Sequence, residues 1–316
     1  MGRRPRHHRH PAPRHPPGKL PVITFRHHLT SLVAVFLALA VGIALGGGLL
    51  HEQVASGDAD PEAAGAPQAD PRGAYADGFA AAVAPTLLSG RLAERSVALV
   101  TLPGADENVV TALSEQVAAA GGSVTARFSL TDTWTTPEQK SLVDTLGSQL
   151  MTQQPEGSVA AEATTYDRVG ELLGDAVATT EESATELNGK SRAVLDSLAG
   201  GELLTAPEEV AKRAPLVLLV LGEPPAAEGG DAILGGLVTG LARAARGVVV
   251  AGTTADGGDG QLGRLRGDPV AAQVATVDGI DTAAGRTATV LAVARSHDAD
   301  GGAFGASGAD GAAPLG

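Results

Sequence analysis

Residues Leu216–Gly222 read LVLLVLG, a run with no polar side chain that stops at Glu223-Pro224-Pro225. It falls well short of the roughly 20 residues that a helix needs to cross a hydrocarbon core. A short continuous apolar run bounded by turn residues reads instead as a strand buried on both faces. Working outward, SVALVTL (Ser96–Leu102) and SVTARFSL (Ser123–Leu130) precede it, and GVVVAG (Gly247–Gly252) and Val274–Val277 follow. Between these strands, apolar residues recur at helical spacing over Ala74–Arg95, Asp106–Ala120, Pro137–Leu150, Tyr166–Ala178, Glu182–Leu198, Asp231–Arg246 and Thr282–Arg295. Strands alternating with helices predict an α/β domain with a mostly parallel sheet flanked by helices. Aromatic residues make up only 3% of the chain, so the core must be built from Val, Leu and Ala.

A second, longer apolar run lies near the N-terminus. Leu29–Leu50, LTSLVAVFLALAVGIALGGGLL, holds 22 residues without a charge. As a helix it would measure about 33 Å, which matches one pass through a bilayer. It exceeds the h-region of a signal peptide and lacks a polar cleavage region, so it reads as an uncleaved transmembrane anchor. Seven Lys and Arg and no acid precede it, whereas all 36 Asp and Glu follow Leu50 against 16 Lys and Arg. Basic flanks stay cytoplasmic, which places the acidic bulk outside. The expected organisation is a basic His/Arg/Pro-rich cytoplasmic tail (1–28), the transmembrane helix (29–50), a flexible linker (51–73), an extracytoplasmic α/β domain (74–297) and a disordered Gly/Ala/Asp tail (298–316). Gly42 and Gly46 form a GxxxG pair, so the lipid-embedded helix also allows homo-oligomerisation.

Composition excludes several functions. An exported part this acidic is a poor nucleic-acid binder, because phosphate contacts need Lys and Arg. With no cysteine, disulfides, thiolate metal sites and cysteine nucleophiles are absent. Apart from Met1, Met151 is the lone thioether, so soft-ligand Cu(I) capture is nearly empty. Six of eight histidines cluster at 7, 8, 10, 15, 27 and 28; they read as part of the basic flank, with a metal-binding tract as the alternative. Beyond Leu50 only His51 and His297 remain, and no G-x-S-x-G elbow is present, which disfavours a Ser–His hydrolase. GDGQLG (Gly258–Gly263) matches G-x-G-x-x-G, but it follows a polar loop and precedes too short a helix for a dinucleotide site. No catalytic residue and no cofactor site is expected.

Asp278 and Asp281, in the T-V-D-G-I-D turn that ends a predicted strand, are the nominated ligand or metal contacts. Open α/β sheets bind ligands outside the carboxyl ends of their strands. The competing reading is that these acids cap the following helix, worth roughly 1 kcal/mol.

Three segments resemble the actinobacterial copper transport family of MctB-like proteins. They are ITFRHHLTSLVAVFLALAVGIALGGGLL (Ile23–Leu50), GGSVTARFSLTD (Gly121–Asp132) and ATVDGIDTAAGRTATVLAVARS (Ala275–Ser296). The resemblance implies a non-enzymatic envelope protein of copper transport and copper homeostasis, associated with efflux or a channel. It implies copper ions as the transported cargo and allows an outer envelope membrane. One helix cannot form a pore alone, and the α/β pattern lacks the alternating segments of a spanning barrel. The alternative is a non-catalytic extracytoplasmic scaffolding or interaction domain, which asks for no metal constellation.

Overall fold

The computed structural model describes residues 70–152, 163–224 and 229–315. The predicted cytoplasmic tail and transmembrane helix, and all but the last residues of the linker, lie outside them. No helix among the described residues is long and apolar enough to cross a membrane.

The chain runs α1 (Pro71–Leu88), β1 (Ser96–Thr101), α2 (Glu107–Ala119), β2 (Ser123–Leu130), a single turn α3 (Asp132–Thr135) and α4 (Lys140–Met151). After the gap come α5 (Thr165–Val177), β3 (Thr185–Glu186), α6 (Gly189–Gly200), β4 (Leu204–Thr205), β5 (Lys212–Arg213) and β6 (Leu216–Val220). The last part holds α7 (Gly230–Ala244), β7 (Gly247–Gly252), α8 (Gln261–Leu265), β8 (Ala275–Asp278), α9 (Ala283–Arg295) and β9 (Ala303–Gly305). Seven strands form one sheet in the order β4-β2-β1-β6-β7-β8-β9. All its pairings are parallel except β2–β4 at the edge. The predicted α/β class and its mostly parallel sheet are what the structure shows.

Both faces of the sheet are covered, which is why its strands read as continuous apolar runs. Val217 and Leu219 of β6 pack with Val100, Phe128 and Val250 against α4, α5, α6 and α7. Leu216, Leu218 and Val220 point the other way, with Val97, Leu99 and Val249, against α1, α2 and α9. Helix starts are set by short polar caps. Asp106 accepts from Asn108 N at 2.7 Å ahead of α2, Thr164 and Asp167 close a capping box on α5, and Thr282 accepts from Gly285 N ahead of α9.

Helices α5 and α7 meet through glycines. A Cβ at Gly170 would lie 2.6 Å from the Gly236 carbonyl oxygen, and one at Gly174 2.6 Å from that of Gly240. One at Gly240 would fall 2.0 Å from the Gly170 carbonyl carbon. These paired GxxxG steps bring two backbones into contact, and almost every residue of α5 is buried.

The structure departs from expectation at α1, which takes in residues 71–73 of the expected linker and stops at Leu88 rather than Arg95, and at two further places. The helix expected over Glu182–Leu198 begins only at Gly189, because Asn188 caps it at Ser191 N, 2.9 Å. Thr185 and Glu186 pair instead with Arg213 and Lys212. The tail expected to be disordered also carries structure, since β9 pairs with β8 and buries Phe304. Arg295 stacks on the Phe304 ring at 5.6 Å and donates to Gly301 O at 2.7 Å. Gly302 and Gly305, at φ +111° and +106°, let the glycine-rich chain bend into this register.

Replacing Gly240 with Ala is expected to destabilise the fold by about 1–3 kcal/mol or more, because a methyl must be forced between two backbones. Gly78→Ala in α1, where a Cβ meets nothing within 4 Å, is expected to stabilise by about 0.5–1 kcal/mol. Denaturant unfolding of the two variants checks both signs.

Candidate functional site

Strand β1 is followed by α2 on one face of the sheet, and β6 by α7 on the other. Where neighbouring parallel strands send their connections to opposite faces, a crevice opens at their carboxyl ends. Here it has a volume of about 340 Å³. Asp106 and Val109 line it from the β1 side, Glu223 and Pro224 from β6, and Asp256 and Gln261 from the loop after β7.

Its floor is fixed by hydrogen bonds. Glu223 N donates to Pro103 O at 3.0 Å, and Gly222 sits so close that a Cβ there would reach 1.8 Å from the same oxygen. Buried Gln261 donates through Nε2 to Gly222 O and to Asp256 Oδ1, both at 2.8 Å. Asp256 Oδ2 accepts from Thr253 N at 2.7 Å and from its hydroxyl at 2.8 Å. Arg264 is held through Nε by both Asp231 oxygens at 2.9 Å. The rim carries the exposed carboxylates of Asp106 and Glu223. Among the described residues, no histidine, lysine or cysteine lines the crevice. It offers a ligand shape, apolar contact and negative charge rather than a nucleophile–base pair.

Sequence reasoning placed the candidate acids at the right edge of the sheet but in the next loop. Asp278 is fully buried at the end of β8, where Oδ1 accepts from Arg266 Nη2 at 2.7 Å and Oδ2 from Ser307 N at 2.8 Å. Arg266 also donates to Thr276 Oγ1 at 3.0 Å, Ser307 Oγ at 2.9 Å and Phe304 O at 2.7 Å. Asp278 thus ties the C-terminal segment to the sheet. Asp281 turns away, its Oδ1 accepting from Thr254 N at 2.7 Å and Thr254 Oγ1 at 3.0 Å. The helix that follows is capped by Thr282, with Asp77 reaching Ala283 N from α1. Among the described residues, no group of three or more His, Cys, Asp or Glu is arranged to hold a metal ion.

The GDGQLG stretch borders the crevice, but α8 spans only Gln261–Leu265 and a Cβ at Gly263 would strike the Gly258 carbonyl oxygen at 1.6 Å. Its glycines serve a tight turn. His297 is buried, with Arg95 at Nε2 and Asp298 Oδ1 at 2.8 Å from Nδ1. The hydrogen bond from His297, helped by the charges of Arg95 and Arg246, holds the Asp298 carboxyl below its ordinary range. What reading the sequence missed is Asp106, Glu223, Asp256 and Gln261. Their signal was position alone: Asp106 and Glu223 lie beyond the two strands that flank the reversal of strand order, and Asp256 and Gln261 beyond β7, the next strand in the sheet.

Residues 22–314 match the family described as copper transport outer membrane protein, MctB. The chain belongs to the MctB family. The proteins named copper transporter MctB from Mycobacterium tuberculosis and Mycobacterium bovis are 30% identical to it over 306 aligned residues. The alignments take in 88% of this chain and 93% of each relative. An MctB-family chain is a copper transport-related envelope protein, and the described domain must be read in that setting.

Asp278→Ala is expected to cost about 3 kcal/mol, because it removes the carboxylate from a mostly buried ion pair with Arg266, and to expose the segment after Phe304 to protease. Asp281→Asn, which keeps an oxygen facing Thr254, is expected to leave both stability and proteolysis close to wild type. Thermal melts with limited proteolysis distinguish the two.

Proposed function

We propose that this chain is a membrane-anchored, non-enzymatic protein of copper homeostasis that acts on the efflux side of the envelope. In this reading Leu29–Leu50 is a single-pass anchor, with 1–28 cytoplasmic and the α/β domain extracytoplasmic. The family match over 22–314 carries it. The domain's part is to bind rather than to conduct, with the switch-point crevice as its ligand-binding place. A rim of Asp106 and Glu223 favours a positively charged ligand. Copper arriving as Cu(II) with some of its own oxygen or nitrogen ligands fits that preference, because hard carboxylates suit it better than Cu(I). Asp281 is exposed at the same edge of the sheet and offers a further oxygen contact. The acidic domain as a whole raises the local cation concentration.

Deleting the gene is expected to raise intracellular copper under copper load. The full chain should restore it, and a chain lacking 29–50 should not. The Asp106→Asn/Glu223→Gln pair, at exposed positions, should fold normally yet restore copper only in part. Elemental analysis of washed cells reads all four. Unchanged copper with altered envelope morphology would favour the scaffolding reading, which the apolar surface on α1 supports from a separate direction.

A further inference from the structure

Helix α1 is out of place as a surface helix. Over 18 residues its charges are Arg72 and Asp77, and Asp77 is engaged at Ala283 N. A helix apolar around most of its circumference is normally buried. Yet only Ala84 and Leu88 are buried here, on the side packed against α9 and α2. Next to them a stripe runs Tyr75, Phe79, Val83 and Leu87 at i, i+4 spacing, with Tyr75 77% and Phe79 60% exposed. Beside it lies a groove of about 350 Å³, walled by Phe79, Val83 and Leu87 on α1 and by Ala288 and Leu291 on α9. Leu315, 65% exposed, closes the far side.

We infer that this face is covered by a second copy of the same chain, α1 of each copy laying its aromatic stripe into the groove of the other. Three observations choose that occupant. The face carries both parts of a self-complementary contact, protruding aromatic side chains and an adjoining apolar groove, as a two-fold interface requires. The chain outside the structure ends where α1 begins. Twenty residues, 51–70, separate α1 from the Leu29–Leu50 stretch, a reach of at most about 70 Å. On the anchored reading proposed above, which this inference rests on, copies in one membrane therefore meet at high effective concentration. A lipid surface fits less well, because Arg72 is the one basic side chain on α1, too few to draw an anionic headgroup layer.

The test uses the cysteine-free background of the chain. Full-length Phe79→Cys in native membranes is expected to form a disulfide-linked dimer under mild oxidation. Glu209→Cys, exposed beside Val210 on the opposite face, should stay monomeric. In detergent, Phe79→Asp should halve the mass seen by light scattering while leaving the thermal melt unchanged. The inference is overturned if Phe79→Cys cross-links no better than Glu209→Cys, or if Phe79→Asp keeps the dimer mass. It is equally overturned if vesicles shield the thiol of the Phe79→Cys chain from maleimide without any dimer, which would name lipid as the occupant. Alkaline extraction of the same membranes tests the anchor separately: a chain released by carbonate sinks the anchored reading whatever the cross-linking shows.

Discussion

The fold depends on the burial of β6 on both faces. Every residue of Leu216–Val220 is buried, and a strand with apolar side chains pointing both ways is stable only between two layers of helices. That requirement sends the connections after β1 and β6 to opposite sides of the sheet. The crevice at their carboxyl ends follows from topology before any of its side chains is chosen. Gly222, pressed on Pro103, and Gln261, bridging Gly222 to Asp256, then fix its floor. With few aromatics available, the remaining close packing is obtained by removing side chains, as where Gly170 and Gly174 meet Gly236 and Gly240.

A division of labour among acids runs through the structure. Asp278 and Asp256 are buried with both carboxylate oxygens hydrogen-bonded, and they serve as struts. Asp106 caps α2 and still faces the crevice, while Glu223 stands at its mouth. A buried carboxylate with each oxygen engaged, one by a guanidinium and one by a backbone amide, has little left to offer a passing cation. The acids at this edge of the sheet that remain open to a ligand are therefore those that water can reach. The same separation explains why a positional rule alone pointed to Asp278: strand ends collect both kinds of residue.

Much of the fold was legible because buried parallel strands announce themselves as short apolar runs. Ser96–Thr101, Ser123–Leu130, Leu216–Val220 and Gly247–Gly252 all lie where the hydrophobic pattern puts them. Strand β9 was not legible, since Ala303–Gly305 holds one large apolar residue and is fixed by Arg266, Arg295 and Asp278 from far along the chain. The site was less legible than the fold. Asp106 looks like any helix cap and Glu223 like any strand terminator until the strand order shows that both border one opening. The exposed stripe of α1 was hidden for the opposite reason, because an Ala-rich helix reads as core whichever way it faces.

Hydrogen exchange of the full chain, with and without Cu(II), addresses the crevice most directly. Slowed exchange is predicted, confined to the backbone around 104–109, 221–224 and 253–261 and weakened in Asp106→Asn/Glu223→Gln. Protection confined to the histidine-rich residues 1–28, or none at all, would contradict a cation-binding role for the crevice.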